Sequence, residues 1–169
     1  MSTAATPDLP KGKRAGKARG GTQAAQAPDS GRMVSTLLGE QACDDRMGVY
    51  HAVLAGFSLR SVLIMVDSSK VYSQCGALAK IMGTSDRTLA RRLQAPDQML
   101  TPEQSTRALY YAEIMDKATE VLGSRALAEH WMTTPARGLD GELPINLVAN
   151  AIGYELVSEL LTRMDYGVY

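Results

Sequence analysis

The four residues Thr101-Pro102-Glu103-Gln104 open a stretch that no glycine or proline interrupts until Gly123. Thr101 suits the N-cap of a helix, where a hydroxyl accepts a backbone N–H that lacks an intrahelical partner. Pro102 falls at the first helical position, where its missing N–H is no loss. Gln104 completes a capping box with Thr101. The pattern predicts a helix from there to Leu122, stopped at Gly123.

From Arg32 onward the remaining segments also have helical patterns. Asp44 or Asp45 can cap a helix running to about Ala55, with Met47, Tyr50, Val53 and Leu54 on one side and Gly56 as its stop. Ser58 caps a second helix, Leu59 to about Asp67, whose Leu59, Val62, Leu63 and Val66 follow the spacing i, i+3, i+4, i+7. The run Val62–Val66 would also suit a strand, but no partner strand is nearby. Cys75, Leu78, Ala79 and Met82 set one face of a helix over 73–82. A short helix, Arg87 to Leu93, follows Gly83-Thr84-Ser85-Asp86 and ends before Pro96. Ser124 caps a helix bearing Leu127 and Trp131 one turn apart. A loop over 133–143 follows, and Pro144 opens a short helix through Val148. The last helix spans roughly Ala151 to Met164, with Val157, Leu160, Leu161 and Met164 on one face. The expected fold is all-α.

Charge adds an asymmetry. The 169 residues hold 18 Lys+Arg and 18 Asp+Glu, yet residues 1–31 carry Lys11, Lys13, Arg14, Lys17 and Arg19 against Asp8 and Asp29. This leader has Leu9 as its one large apolar residue and cannot offset the entropy of ordering, so it is expected to be disordered. Its cations suit DNA phosphates without specificity, and a solubilising role fits equally. No apolar run reaches the ~18 residues of a membrane span, and the leader lacks the apolar core of a secretory signal. Cys43 and Cys75 are too few for a disulfide framework and are not in metal-ligand spacing with His51 or His130, so buried thiols in a reducing cytoplasm are expected. No metal or cofactor is expected.

A helix, a glycine, then a Ser/Thr/Asp-capped helix with clustered arginines is the outline of a helix-turn-helix. Gly83 permits a left-handed backbone at the turn, and the exposed N-terminus of the second helix favours phosphate. Recognition helices place their N-terminal residues on bases. Ser85, Arg87, Thr88 and Arg91 are therefore the candidates for a DNA groove, with Arg92 as a phosphate contact or a structural pair and Leu89 and Leu93 turned inward. A solvated, self-repelling arginine face is the plainer alternative.

The C-terminal segment offers no catalytic arrangement. Trp131, the single tryptophan, reads as a core residue pinning the glycine- and proline-rich loop, and His130 has no nucleophile or acid beside it in a recognisable pattern. Asp140 and Glu142 sit in a glycine loop rather than the buried setting of an acid/base pair. An enzyme is not expected. The closing Asp165-Tyr166-Gly167-Val168-Tyr169 directly follows the last helix, and its aromatic side chains beside a charge suit a partner's pocket.

Taken in order, GTSDRTLARRL, the TPEQ start, a VLGS turn, and then W-x-x-x-P, LDGELPINLV and G-x-x-x-V-x-x-x-L-x-x-M-x-x-G-x-Y resemble the Xre/ParS antitoxins of bacterial RES–Xre toxin–antitoxin operons. The resemblance covers about residues 58–169, and its more specific half is the C-terminal set Trp131, Pro135, Leu139, Gly141, Pro144, Gly153, Val157, Leu161, Gly167 and Tyr169. Leu143, where a polar residue commonly precedes the proline, and Asp165 depart from it. The resemblance implies a non-catalytic cytoplasmic protein with a helix-turn-helix domain over 32–115 and a toxin-binding domain over 116–169; the basic leader over 1–31 is not part of the family pattern and receives no role from it. It also implies homodimers, an operator in its own operon, and a toxin partner that consumes NAD. The expected toxin-facing set is Trp131, Tyr154, Val157, Leu161, Met164, Asp165, Tyr166, Gly167, Val168 and Tyr169, with Asp165 and the chain-end carboxylate against the toxin's cationic groups. A plain helix-turn-helix transcription factor with a C-terminal dimerisation or ligand domain is the alternative.

Overall fold

The computed structural model describes Met1, residues 32–39 and residues 45–168. Residues 2–31 of the leader, Cys43, Asp44 and Tyr169 lie outside the described residues. Ten helices follow in order: α1 (Met33–Leu38), α2 (Arg46–Ala55), α3 (Leu59–Asp67), α4 (Lys70–Gln74), α5 (Ala77–Met82), α6 (Asp86–Arg92), α7 (Pro102–Leu122), α8 (Arg125–Met132), α9 (Pro144–Leu147) and α10 (Ala151–Asp165), with a 3-10 turn at Arg137–Leu139 before α9. The all-α expectation holds. The described residues show a single isolated bridge, Ser58 to Met99, where residues 96–100 run antiparallel to the start of α3.

Capping chemistry sets most of these boundaries. The Asp45 carboxylate accepts the N–H groups of Met47 and Gly48, each at 3.0 Å. Ser58, Ser69, Ser124 and Asn150 cap α3, α4, α8 and α10 in the same way. The capping box at the head of α7 is closed, and Gly123 ends the helix in the left-handed conformation. α1 has no cap of its own. Asp116, in the C-terminal half of α7, accepts the N–H of Met33 at 2.9 Å and of Val34 at 3.0 Å, so a side chain distant in sequence satisfies the helix start. Burial pushes the Asp116 carboxyl above its ordinary range, opposed by these two N–H groups and by the positive charge of Arg125 and Arg32.

The expected helix over 73–82 is two helices. Gly76 takes φ +65°, and the chain turns there between α4 and α5. The break places Tyr72 in the core, where its hydroxyl donates to the Tyr111 carbonyl at 2.7 Å and its ring meets Tyr111 edge-on. Tyr111 in turn donates to the Ile145 carbonyl at 3.1 Å. Two buried phenols thus link α4, α7 and α9, each with the partner that a buried hydroxyl requires. Cys75 is a free, half-buried thiol rather than a buried one. Leu127 on α8 and Leu93, just past the end of α6, are exposed.

α7 is the axis of the molecule. Its 21 residues cross position 115/116 without a break, and nine of them are buried. One continuous core runs from Met33 and Leu37 through Ala108, Ala112 and Met115 to Val157 and Leu161. At the head of α7 the Gln104 side chain, nearly buried, joins three elements. Its Nε2 donates to the Met82 carbonyl at 2.8 Å, and its Oε1 accepts from the Thr101 N–H at 3.2 Å and from Arg92 Nη1 at 3.1 Å. Replacing it leaves a buried carbonyl, an N–H and a guanidinium edge short of partners. Gln104→Ala is expected to lower unfolding free energy by about 3 kcal/mol in urea titrations. Gln104→Glu, which lacks the donor to Met82, should not recover it. A loss below ~1 kcal/mol for the alanine variant contradicts this account.

Candidate functional site

The turn between α5 and α6 is built from backbone geometry and from side chains of α7. Gly83 has φ +59°, and its N–H closes α5 onto the Ala79 carbonyl at 2.9 Å. The two carbonyls at the end of α5 are taken by α7: Met82 by Gln104, and Ile81 by Arg107 Nε at 2.8 Å. Ser85 stands at the N-cap of α6 without capping the backbone. Its hydroxyl instead pairs with that of Thr88 at 3.2 Å.

α6 therefore projects from a fixed base and buries none of its own residues. Ser85, Arg87 and Arg91 are exposed, Thr88 is half-buried, and Leu89 rests against the core. Leu93, expected inside, is 41% exposed because α6 ends at Arg92 and the chain turns there. Arg87 and Arg91, four residues apart, have no ion pair among the described residues. The pair that is present joins Arg60 to Asp97 at 2.9 Å on the surface, so Arg60 is engaged while the two α6 arginines are not. Arg92 differs from them. It is half-buried, and its Nη1 donates to Gln104 Oε1. Asp86 sits in the first turn of α6, where its charge favours the helix dipole and competes with any incoming phosphate.

α10 presents a second surface. Val157 and Leu161 are fully buried and Met164 is partly buried against the core, so these three of the expected toxin-facing residues hold the helix in place, while Trp131 on α8 is partly buried against the same core. Val157 and Leu161 are inaccessible to a partner, and the expectation for them is corrected accordingly: their spacing marks the face that packs. Tyr154 is also half-turned inward. Its hydroxyl donates to Glu113 Oε2 at 2.6 Å and its ring stacks on Tyr110 at 4.3 Å. Burial pushes its phenol well above the ordinary value, with Glu113 adding to the shift, so it remains a donor. Asp165, Tyr166, Gly167 and Val168 are exposed, as an outward-facing set requires. Ile152 and Leu156, outside the expected set, are 72% and 48% exposed. They lie one turn apart, beside the acids Glu155 and Glu159, and their signal was a second apolar pair on a helix whose core stripe was already complete.

Two glycines have distinct reasons. A Cβ at Gly153 would come within 2.0 Å of the Leu147 carbonyl oxygen, so only glycine lets α10 cross the end of α9 this closely. Gly167 has φ +69°, with its N–H on the Met164 carbonyl and the Val168 N–H on that of Arg163. That is a Schellman ending, which turns the chain off the helix and carries Val168 away from it.

The model of the antitoxin Xre-like helix-turn-helix domain matches residues 49–113, and that of the antitoxin Xre/MbcA/ParS C-terminal toxin-binding domain matches residues 117–167. Antitoxin Xre of Yersinia enterocolitica serotype O:8 / biotype 1B is 29% identical over 121 residues, spanning 70% of this chain and 78% of that protein. The chain belongs to the Xre/ParS-type antitoxins. In this antitoxin α6 lies within the helix-turn-helix match, and α8 to α10 lie within the toxin-binding match. No helix of the described residues is long and apolar enough to cross a membrane.

Because Gly153 is pressed against backbone rather than a flexible side chain, Gly153→Ala should shift α10 and destabilise the antitoxin by about 1–3 kcal/mol. Thermal unfolding followed by circular dichroism measures this, and an unchanged Tm would contradict the close-packing argument.

Proposed function

We propose that this antitoxin neutralises a RES-type, NAD-consuming toxin by laying the outer face of α10 and the turn after it over the toxin's cofactor cleft. The observation that carries the reading is the exposed face itself. Ile152, Leu156, Tyr166 and Val168 stand in solvent within or beside the segment matched by the toxin-binding model. Apolar and aromatic side chains of this kind serve as anchors in a partner's pockets. Glu155, Glu159 and Asp165 stand among them. A cleft that binds the NAD pyrophosphate needs cationic groups, and an acidic face is complementary to these. On this reading the protein acts by binding and not as an enzyme, without cofactor or metal, in the cytoplasm. Residues 116–169 are the toxin-reading half.

Residues 32–115 are the DNA-reading half, and we propose that they repress the antitoxin's own operon through α6. The support is the pair of unpaired, exposed arginines on a helix held from behind by Gln104 and Arg107. Ser85, Thr88 and Arg91 share its outer face.

Two measurements test the halves separately. Ile152→Glu and Leu156→Glu should each weaken toxin binding about 10–100-fold in calorimetry while leaving Tm and operator binding unchanged; full-strength binding by the double variant would move the inhibitory surface elsewhere. In gel-shift assays at fixed salt, Arg87→Ala should cost about 1–3 kcal/mol on the operator and less on random DNA. Equal losses on both would make Arg87 a phosphate contact. Arg92→Ala should instead lower stability, through Gln104.

A further inference from the structure

Arg107 stands on α7 one turn after Gln104, half-buried beside the turn that leads into α6. Its Nε donates to the Ile81 carbonyl at 2.8 Å. The flat side of its guanidinium lies over Gly83. A Cβ built on that glycine would come within 3.1 Å of Nη2, 3.4 Å of Cζ and 3.5 Å of Nη1. Such similar distances to three atoms of one planar group place the glycine under the plane and not at its edge. The missing side chain is what gives the planar head its seat. A hydrogen bond on Nε and a backbone surface beneath the plane thus hold the head at the turn.

Ending α5 takes one N–H of this side chain, and a guanidinium has five. Nη1 and Nη2 form no hydrogen bond among the described residues. Arg107 forms no ion pair there either, although Asp86 and Glu103 lie in the first turns of α6 and α7. Lys80, Arg92 and Arg60 differ, each donating to a side-chain acceptor: Asn146, Gln104 and Asp97. Arg125 on α8 differs in the other direction, with Nε and Nη1 buried, unpartnered and closed to solvent. A planar fork held by one nitrogen, with two nitrogens left over, has the geometry that takes a phosphate through paired bonds. Its seat, Gly83, comes two residues before Ser85 and four before Arg87, both exposed on the outer side of α6.

We infer that Arg107 clamps a phosphate of the DNA backbone at the edge of the groove that α6 enters. The inference rests on the reading of α6 as the DNA helix and adds a contact from outside that helix. Its part is register. A phosphate contact positions the protein and carries no sequence information, while base contacts specify. Because Ile81 and Gly83 fix the head before DNA arrives, little side-chain freedom is lost on binding. The bond that ends α5 is therefore also the one that orients the fork. Lysine does not substitute, since a single ammonium lacks the two-pronged edge.

The test is fluorescence anisotropy of the full chain on a duplex from upstream of its own reading frame and on a random duplex, over a series of salt concentrations. Arg107→Gln is expected to weaken both about tenfold and to lower the slope of log affinity against log salt by about one, with the helical signal retained. Arg87→Ala is the comparison and loses more on the upstream duplex. An unchanged slope for Arg107→Gln overturns the phosphate contact, and if Arg87→Ala still discriminates, the reading of α6 stands without it. A loss confined to the upstream duplex also overturns it, making Arg107 a prop for α6. A wild type that binds neither duplex overturns both. Should Arg107→Gln unfold, duplexes with one uncharged methylphosphonate at a time decide. One position should cost the wild type about tenfold and Arg107→Lys clearly less. Equal losses for the two proteins at every position overturn the contact.

Discussion

The two polar ends of one amide, Gln104, fix the relation of the helix-turn-helix to the rest of the molecule. Its NH₂ group takes a carbonyl at the end of α5, and its oxygen takes an N–H at the start of α7 and the guanidinium at the end of α6. Neither half of the amide can turn without losing its partners, because donor and acceptor are chemically distinct. A buried polar group of this kind is stable only when every member is satisfied. Arg107 repeats the arrangement one turn later on the neighbouring carbonyl of Ile81. α6 can therefore hold a fixed orientation although it buries no residue fully and only Thr88, Leu89 and Arg92 are half-buried.

The same helix that anchors α6 at one end supports α10 along its length. Lys117 donates to the Ser158 carbonyl, to the Ser158 hydroxyl and to Thr162 Oγ1. Glu113 holds Tyr154, and Ala118 and Met115 supply buried apolar surface beneath. Lys80 on α5 reaches Asn146 on α9 at 2.7 Å, which ties the two halves at a second point. A shared core and an unbroken axis mean that the exposed arginines of α6 and the exposed apolar pair of α10 are parts of one rigid frame. Their mutual placement does not depend on a linker.

Much of this was legible because caps are local chemistry. Asp45, Ser58, Thr101 with Gln104, Ser124 and Pro144 each announced a helix start, and Gly56, Gly83 and Gly123 an ending, within a few residues of the event itself. The failures have a common cause. Periodicity says which residues share a face and not what that face meets. Met47, Tyr50 and Leu54 carry a core-like spacing on a helix whose outer side no described residue covers, and Leu127 does the same on α8. The split at Gly76 was hidden because Cys75, Leu78, Ala79 and Met82 keep helical spacing across it, and the positive φ that breaks the helix is visible only in the backbone. The capping of α1 by Asp116, 83 residues away from Met33, has no local signal at all.

The C-terminal motif shows what such a pattern encodes. Pro144, Val157 and Leu161 are buried, Trp131 is packed against the core, Gly153 permits a close helix crossing, and Gly167 permits a left-handed turn. Each of these answers a requirement of folding. Ile152 and Leu156, the most exposed large apolar residues within α10, are not among the residues that define the resemblance. The packing motif therefore builds and orients the platform, while the exposed side chains that stand on it are not needed for its packing. A substitution at Ile152 changes only the surface offered to solvent, whereas one at Leu161 removes a fully buried side chain and loosens the helix itself.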